Sequence, residues 1–250
     1  MKNIAVITGA SSGMGKKFVE TICESQQTFD EIWLVARRRE PMEKLANQYQ
    51  EYKFKILPLD LASKDVYATY EDELKKEDAN INLLINNAGL GKTGAFHRVD
   101  LEYYMNMIEV NIKALTAFTH ISLKYMKKGS KIVNMASIAG FAPQPYFNVY
   151  AASKAYVISF SRALRFELKE RGIKVLTVCP GPVDTEFLDV SGPVNSLKKG
   201  FFEEADAVVK KALRDLNRGK EISICGYKMK TLSVFMKILP HHIIMRFMKE

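Results

Sequence analysis

Cysteine is scarce in this chain: Cys23, Cys179 and Cys225 are odd in number, widely spaced and outside any metal-ligand pattern. That excludes a disulfide framework and fits free thiols in a reducing compartment. His97, His120, His241 and His242 lack a matching set of Cys or carboxylate ligands at characteristic spacing, so no metal site is expected. No apolar run approaches bilayer length, which argues against a transmembrane protein. Met1-Lys2-Asn3 leads directly into a strand-like stretch, Ile4 to Ile7, without a cleavable signal pattern, and the cytoplasm is the expected address. Recognition-helix, zinc-finger and aromatic-basic RNA signatures are missing as well. The net charge of +9 therefore reads as a dispersed basic surface that attracts anionic ligands, with no nucleic-acid partner expected.

What remains is a soluble-type composition, 47% hydrophobic and 26% charged over 250 residues, with no repeat, low-complexity tract or change of composition that divides the chain. One domain spanning 1–250 is expected. Short runs rich in Ile, Val and Leu alternate with longer segments of helical period, the pattern of a parallel sheet covered by helices on both faces. Strands are expected near 3–8, 31–36, 54–59, 82–86, 130–136, 173–179 and 221–225. Right-handed crossovers then give an α/β, Rossmann-like, doubly wound seven-stranded sheet with a ligand crevice at the strands' carboxyl ends. Gly181 to Ala205 has no clear period, and a substrate lid is expected over about 184–205.

After the first strand comes Thr8-Gly9-Ala10-Ser11-Ser12-Gly13-Met14-Gly15, whose glycines let a backbone turn sharply and approach a pyrophosphate at a helix N-terminus. The spacing Gly-x-x-x-Gly-x-Gly is a modified form of the commoner dinucleotide pattern. Gly9, Ser11, Ser12, Gly13, Met14 and Gly15 are the candidate contacts. A second absence is informative here: the strand ending at Ala36 is followed by Arg37-Arg38-Arg39, where an unphosphorylated ribose would meet a carboxylate. Guanidinium groups suit a 2′-phosphate instead, so NADP(H) is the expected cofactor, held by Arg37 and Arg38. Asp60 and Leu61 close the third strand and Asn86-Asn87-Ala88-Gly89 the fourth. Asp60 suits an adenine amino group, and Asn86 to Gly89 offer small residues and amides beside the adenosine ribose.

Tyr150 stands four residues before Lys154, which on a helix puts a phenol and an ammonium on one face, one turn apart. A free tyrosine with a pKa of about 10 is a poor proton donor at neutral pH, and the neighbouring charge is expected to favour the phenolate. Ser137 follows the apolar strand Lys131 to Met135, where its hydroxyl can hydrogen-bond a substrate oxygen.

Taken in order, Thr8 to Gly15, Asp60, Asn86 to Gly89, Asn111, Ser137, Tyr150 with Lys154, and Pro180-Gly181 resemble the motifs of a short-chain dehydrogenase/reductase of the single-domain, NADP(H)-preferring type, from Lys2 to about Asp184. The resemblance implies a catalytic tetrad of Asn111, Ser137, Tyr150 and Lys154. Within it, Lys154 would also hold the nicotinamide ribose, and Asn111, in a helical stretch from Tyr103 to Lys127, would hold a water linking Lys154 to solvent. It also implies Pro180, Gly181, Val183 and Thr185 against the nicotinamide, and a homo-oligomer, dimer or tetramer, through helices near 103–127 and 150–170.

The expected crevice walls, Leu90 to Phe96, Phe141 to Phe147 and Phe187 to Phe202, are rich in apolar groups and favour a lipid-like or polycyclic carbonyl over a sugar. Reversible, NADPH-dependent reduction of a ketone to a secondary alcohol is the expected activity, with 3-oxoacyl thioesters and hydroxysteroids as candidate substrates. A nucleotide-sensing binding protein and a nicotinamide-using epimerase remain as alternatives on the same fold. After Gly226, Met229, Leu232, Phe235, Met236 and Leu239 recur at helical spacing with Lys228, Lys230 and Lys237 off that stripe. This tail, 227–250, loosely resembles those of fatty-acyl and steroid reductases. Three roles are open to it: cover over the substrate entrance, oligomer contact, or peripheral membrane contact.

Overall fold

A computed structural model describes residues 1–192 and 202–247. The strands are β1 (Lys2–Thr8), β2 (Glu31–Val35), β3 (Phe54–Leu57), β4 (Ala79–Asn86), β5 (Lys131–Met135), β6 (Lys174–Val178) and β7 (Ile222–Ser223). They form one parallel sheet in the order β3-β2-β1-β4-β5-β6-β7, the doubly wound arrangement expected. Its order reverses beside β1, so the ends of β1 and β4 flank the crevice.

Side chains alternate across each strand, and both faces are buried. Ala5 and Ile7 of β1 join a core with Phe18, Val19 and Ile22 of α1 (Gly13–Glu24), Met42 of α2 (Arg39–Gln48) and Val208 and Val209 of α8 (Ala205–Asn217). Ile4 and Val6 face the other way, onto Tyr70 of α3 (Val66–Lys76), Phe118 of α5 (Leu115–Ser122) and Leu164 of α6 (Asn148–Glu167). Tyr70 and Phe118 stack at 4.2 Å, and the Tyr70 hydroxyl is 2.8 Å from Ser122 Oγ, which satisfies a polar atom in the interior.

The single helix expected from Tyr103 to Lys127 is interrupted. α4 (Leu101–Ile108) passes into a π-helical segment, Glu109–Ala114, before α5 resumes. A π-segment adds a residue to the turn and re-aims side chains within it, here Asn111. α7 (Glu186–Ser191) occupies the start of the expected lid, of which 193–201 lie outside the described residues, as do 248–250 of the tail. The tail forms α9 (Tyr227–Ile238) and α10 (His241–Phe247), and no described helix is long and apolar enough to cross a membrane.

The turn between β1 and α1 is closed by glycine at two points. A Cβ on Gly15 would collide with the Gly9 carbonyl oxygen and lie 2.5 Å from Asn87 Nδ2, whereas one on Gly13 would meet Thr185 at an ordinary 3.4 Å. Gly15→Ala should therefore lower the urea unfolding free energy by about 1–3 kcal/mol or more. Gly13→Ala, strained only by its φ of +53°, should lose roughly 1 kcal/mol. Equal losses would remove the packing argument.

Candidate active site

The crevice at the sheet's carboxyl edge has a volume of about 1160 Å³ and runs without interruption from the glycine turn, past Tyr150, to the tail helices. At its first end Gly9, Ser11, Ser12, Gly13 and Met14 form the wall. Ser12 is the N-cap of α1, its side chain makes no cap hydrogen bond, and the first helical turn has no acid, so donors and dipole point toward an incoming anion. Gly15 does not reach the crevice wall; its smallness serves the packing of α1 on the Gly9 carbonyl and the Asn87 amide. Asn87 Nδ2 donates to the Thr8 and Gly9 carbonyls at 3.1 and 3.3 Å, and the Asn87 and Ala88 amides donate to Thr8 Oγ1. These bonds tie the glycine turn to the end of β4. Asn86, read from sequence as a rim residue, is instead buried and donates to Thr119 Oγ1 and Asn134 Oδ1, both at 2.9 Å, because a β4 residue at that parity faces inward.

Arg37, Arg38, Asp60, Leu61, Ala88 and Gly89 line the adjoining stretch. Asp60 Oδ1 accepts from the Ala62 amide at 3.1 Å, which shapes the turn and leaves its second oxygen for another donor. Arg37 makes no hydrogen bond or ion pair to a described residue. Arg38 is engaged across the crevice mouth: its Nη2 is 2.8 Å from Glu186 Oε2 of α7 and 3.5 Å from Ser11 Oγ. Both partners are more than half exposed, so this pair is weak, about 0–1 kcal/mol, and a phosphate can compete for the guanidinium. The residues present fit an anionic dinucleotide: two arginines, a helix N-terminus and a glycine-walled approach share one end of the cleft.

At the centre, Tyr150 and Lys154 are buried one turn apart on α6, as the spacing requires. Ser137, just beyond β5, lines the crevice beside Tyr150 and accepts from the Ala139 amide at 3.2 Å, which fixes its rotamer. Phe147 stacks on the Tyr150 ring at 4.3 Å and Phe187 of α7 tilts against it at 5.5 Å. Gly91 makes room for this group, since a Cβ there would lie 2.5 Å from Phe187 Cζ and 3.2 Å from Tyr150 Cδ2.

The electrostatics differ from the sequence-based expectation. Burial pushes the Tyr150 phenol up to about 12, only partly offset by the neighbouring Ser137 hydroxyl. Burial likewise pulls Lys154 down to about 8. The ammonium is 5.6 Å from the centre of the Tyr150 ring and donates to the Met135 carbonyl at 2.8 Å, so its hydrogen bond goes to β5 and not to the phenol oxygen. Desolvation dominates both shifts. Asn111 Nδ2 donates to the Leu90 carbonyl and Ser153 Oγ, its Oδ1 accepts from the Leu90 amide at 2.8 Å, and its side chain stands behind the crevice wall. The π-segment aims it at the Leu90 backbone. Only Gly89 separates it from the ammonium, for a Cβ on Gly89 would meet Lys154 Nζ at 3.3 Å and Asn111 Oδ1 at 3.4 Å.

Beyond β6, Pro180, Gly181, Val183 and Thr185 all line the crevice opposite the glycine turn. Glu203, which no sequence signal marked, accepts from the Gly181 amide at 2.8 Å and bridges to Val183, holding this loop. The apolar walls are partly those expected. Leu90, Pro145, Tyr146, Phe147, Phe187 and Leu188 line the cleft, while Phe96, Phe141, Pro143 and Phe202 do not. Phe96 stacks on Tyr104 at the surface, and Phe141 lies under Lys237. Val194, Leu197 and Phe201 fall outside the described residues. The tail stripe Met229, Leu232, Phe235, Met236 and Leu239 borders the cleft in full, with Ile244 of α10. Met229 and Met236 of that stripe are buried against the body.

The model of the family described as short chain dehydrogenase matches residues 3–193. A curated relative, sulfoacetaldehyde reductase 2 of Chromohalobacter salexigens, is 35% identical over 192 residues, 75% of each chain. Among solved structures, a short-chain dehydrogenase from Sphingobium yanoikuyae in complex with NADPH matches with a TM-score of 0.79 and 29% identity, over 96% of this chain and 97% of that one. A bulky-bulky ketone specific alcohol dehydrogenase from Comamonas testosteroni matches at 0.76 and 27%, over 96% and 95%.

Because Lys154 carries a depressed pKa in the fold, the folded state is penalised while the lysine is charged, and the penalty is relieved as pH rises from about 8 toward the unfolded value of about 10.4. Lys154→Met should therefore be more stable than wild type near pH 7, by about 1–3 kcal/mol, with the gap closing by about pH 10. Thermal unfolding at both pH values checks this; a gap that does not narrow would mean that Lys154 is not the titrating group.

Proposed function

The chain belongs to the short-chain dehydrogenase family, matched over residues 3–193, and from that premise we propose that it is an NADPH-dependent oxidoreductase interconverting a bulky apolar ketone and its secondary alcohol. The family membership itself carries the coarser statement, a nicotinamide-using oxidoreductase acting on alcohol and carbonyl groups. The observation that carries the rest is the continuity of the crevice, with arginines at one end, the buried phenol in the middle and apolar side chains at the other.

A bound NADPH would supply the hydride. Tyr150 gives its proton to the carbonyl oxygen as that oxygen gains charge, and a phenol held protonated by burial is in the form reduction requires. Ser137 orients the phenol and shares the developing negative charge. Lys154, charged below about 8 and 5.6 Å from the centre of the Tyr150 ring, stabilises the negative charge left on the phenol. Asn111 acts one step removed, by fixing the Leu90 backbone beside Gly89, which faces Lys154.

Arg37 and Arg38 support NADP(H) over NAD(H), with Glu186 as a competitor for Arg38. The substrate class is supported by the far wall of the cleft. Among the described residues that line it, the cations are Arg37, Arg38 and Lys154, and none stands at the tail end. A sulfonated aldehyde, named for the Chromohalobacter salexigens relative, would find no countercharge there, whereas a large ketone, named for the Comamonas testosteroni enzyme, would be covered by Phe147, Phe187, Leu232 and Met236. A homo-oligomer is proposed through α4 and α6, where Leu101, Met105, Ile108 and Tyr156 are exposed.

In this reading Tyr150→Phe lowers kcat about 10²- to 10⁴-fold while NADPH still quenches protein fluorescence with near-wild-type affinity; normal turnover would move the proton donor elsewhere. Replacing Arg37 and Arg38 by Ala should raise KM for NADPH about tenfold or more and leave KM for NADH nearly unchanged. Glu186→Gln should lower KM for NADPH a few-fold. An enzyme that prefers NADH from the start, or that turns over sulfoacetaldehyde faster than a diaryl or steroidal ketone, removes the corresponding half of the assignment.

A further inference from the structure

The helix that closes the substrate end of the crevice is apolar on both sides. Its inner side, with Met229 and Met236, is buried against the body. Its outer side carries Tyr227, Val234 and Ile238 at spacings of seven and four, one face of a helix, and they are 84%, 51% and 72% exposed. A surface helix ordinarily pairs its apolar side with the core and leaves the other polar, so this second stripe is unpartnered among the described residues.

Charge identifies the partner. By helical position Lys228 borders the outer stripe on one flank and Lys230 on the other, where Lys237 also stands with its ammonium over the Phe141 ring at 4.7 Å. From Ile222 to Lys249 the chain contains five Lys and Arg residues and no Asp or Glu. An apolar ridge between rows of cations fits an interface with hydrocarbon beneath and anionic groups around it. A second copy of this chain would bring the same cations face to face in a two-fold contact, which disfavours self-association there. The ridge also adjoins Phe235 and Leu239, which are partly exposed and line the crevice, so the face turned outward and the apolar cleft meet at one edge.

We infer that the outer face of α9 docks the enzyme on an anionic lipid surface, with the mouth of the substrate crevice at the bilayer boundary. Docking stands on the exposed ridge and its charge; delivery of a membrane-dissolved ketone rests on the function proposed above.

The test is co-sedimentation of the full chain with vesicles of phosphatidylcholine alone and with roughly one third phosphatidylglycerol. Binding should be at least tenfold stronger to the anionic vesicles and should weaken with salt. Ile238→Glu should abolish it, and changing Lys230 and Lys237 to Gln should weaken it about fivefold per lysine, both with unchanged reduction of a water-soluble ketone as evidence of an intact site. No binding to anionic vesicles, or equal binding to both kinds, overturns the proposal. So does an Ile238→Glu variant that binds as wild type, or one that converts a dimer to a monomer when the wild-type dimer itself does not sediment with vesicles. If docking holds but vesicles do not speed reduction of a membrane-dissolved ketone, it is the substrate reading that fails.

Discussion

Two ionisable groups, the Tyr150 phenol and the Lys154 ammonium, are buried side by side on one face of α6, and most of what surrounds them serves that placement. Burial moves each toward its neutral form, to about 12 and about 8 respectively. The ammonium persists in the interior because β5 ends at Met135 with a carbonyl that its Nζ can reach at 2.8 Å. The phenol keeps its orientation because Phe147 and Phe187 enclose its ring. The sheet supplies the rest: a parallel strand order that reverses beside β1 leaves a cleft at its carboxyl edge, where the ends of β1, β4 and β6 bring short glycine-containing loops.

Much of this was legible in the chain. All seven strands were readable, and most plainly those with runs such as Ile4 to Ile7 and Leu83 to Ile85, which are buried on both faces and so are continuously apolar. The glycine turn, the Arg37-Arg38 pair and Tyr150 with Lys154 were readable because each is local, with its geometry following from spacing along a known element. The tail stripe was readable for the same reason, and its five residues do border the cleft.

What escaped depends on contacts distant in sequence. The pairing of Arg38 with Glu186 spans 148 residues, and no local pattern announces it. The direction of the Tyr150 shift could not be read from a four-residue spacing, because desolvation depends on everything packed around the ring and Lys154 had a nearer acceptor in Met135. Asn111 was assigned to an unbroken helix, and the π-segment turns it onto Leu90. Phe96 and Phe141 were read as cleft walls because they are apolar and nearby in sequence; one stacks on Tyr104, and Lys237 of the tail sits over the other.

The phenol and the ammonium act here as one proton-transfer unit whose charge state is set by burial. The most direct test is the pH dependence of single-turnover hydride transfer from NADPH to an apolar ketone. The account requires a plateau through neutral pH and a decline as pH rises past about 8, where Lys154 gives up its charge. A rate that stays level or climbs to pH 10 or so, well beyond the Lys154 transition, would contradict it.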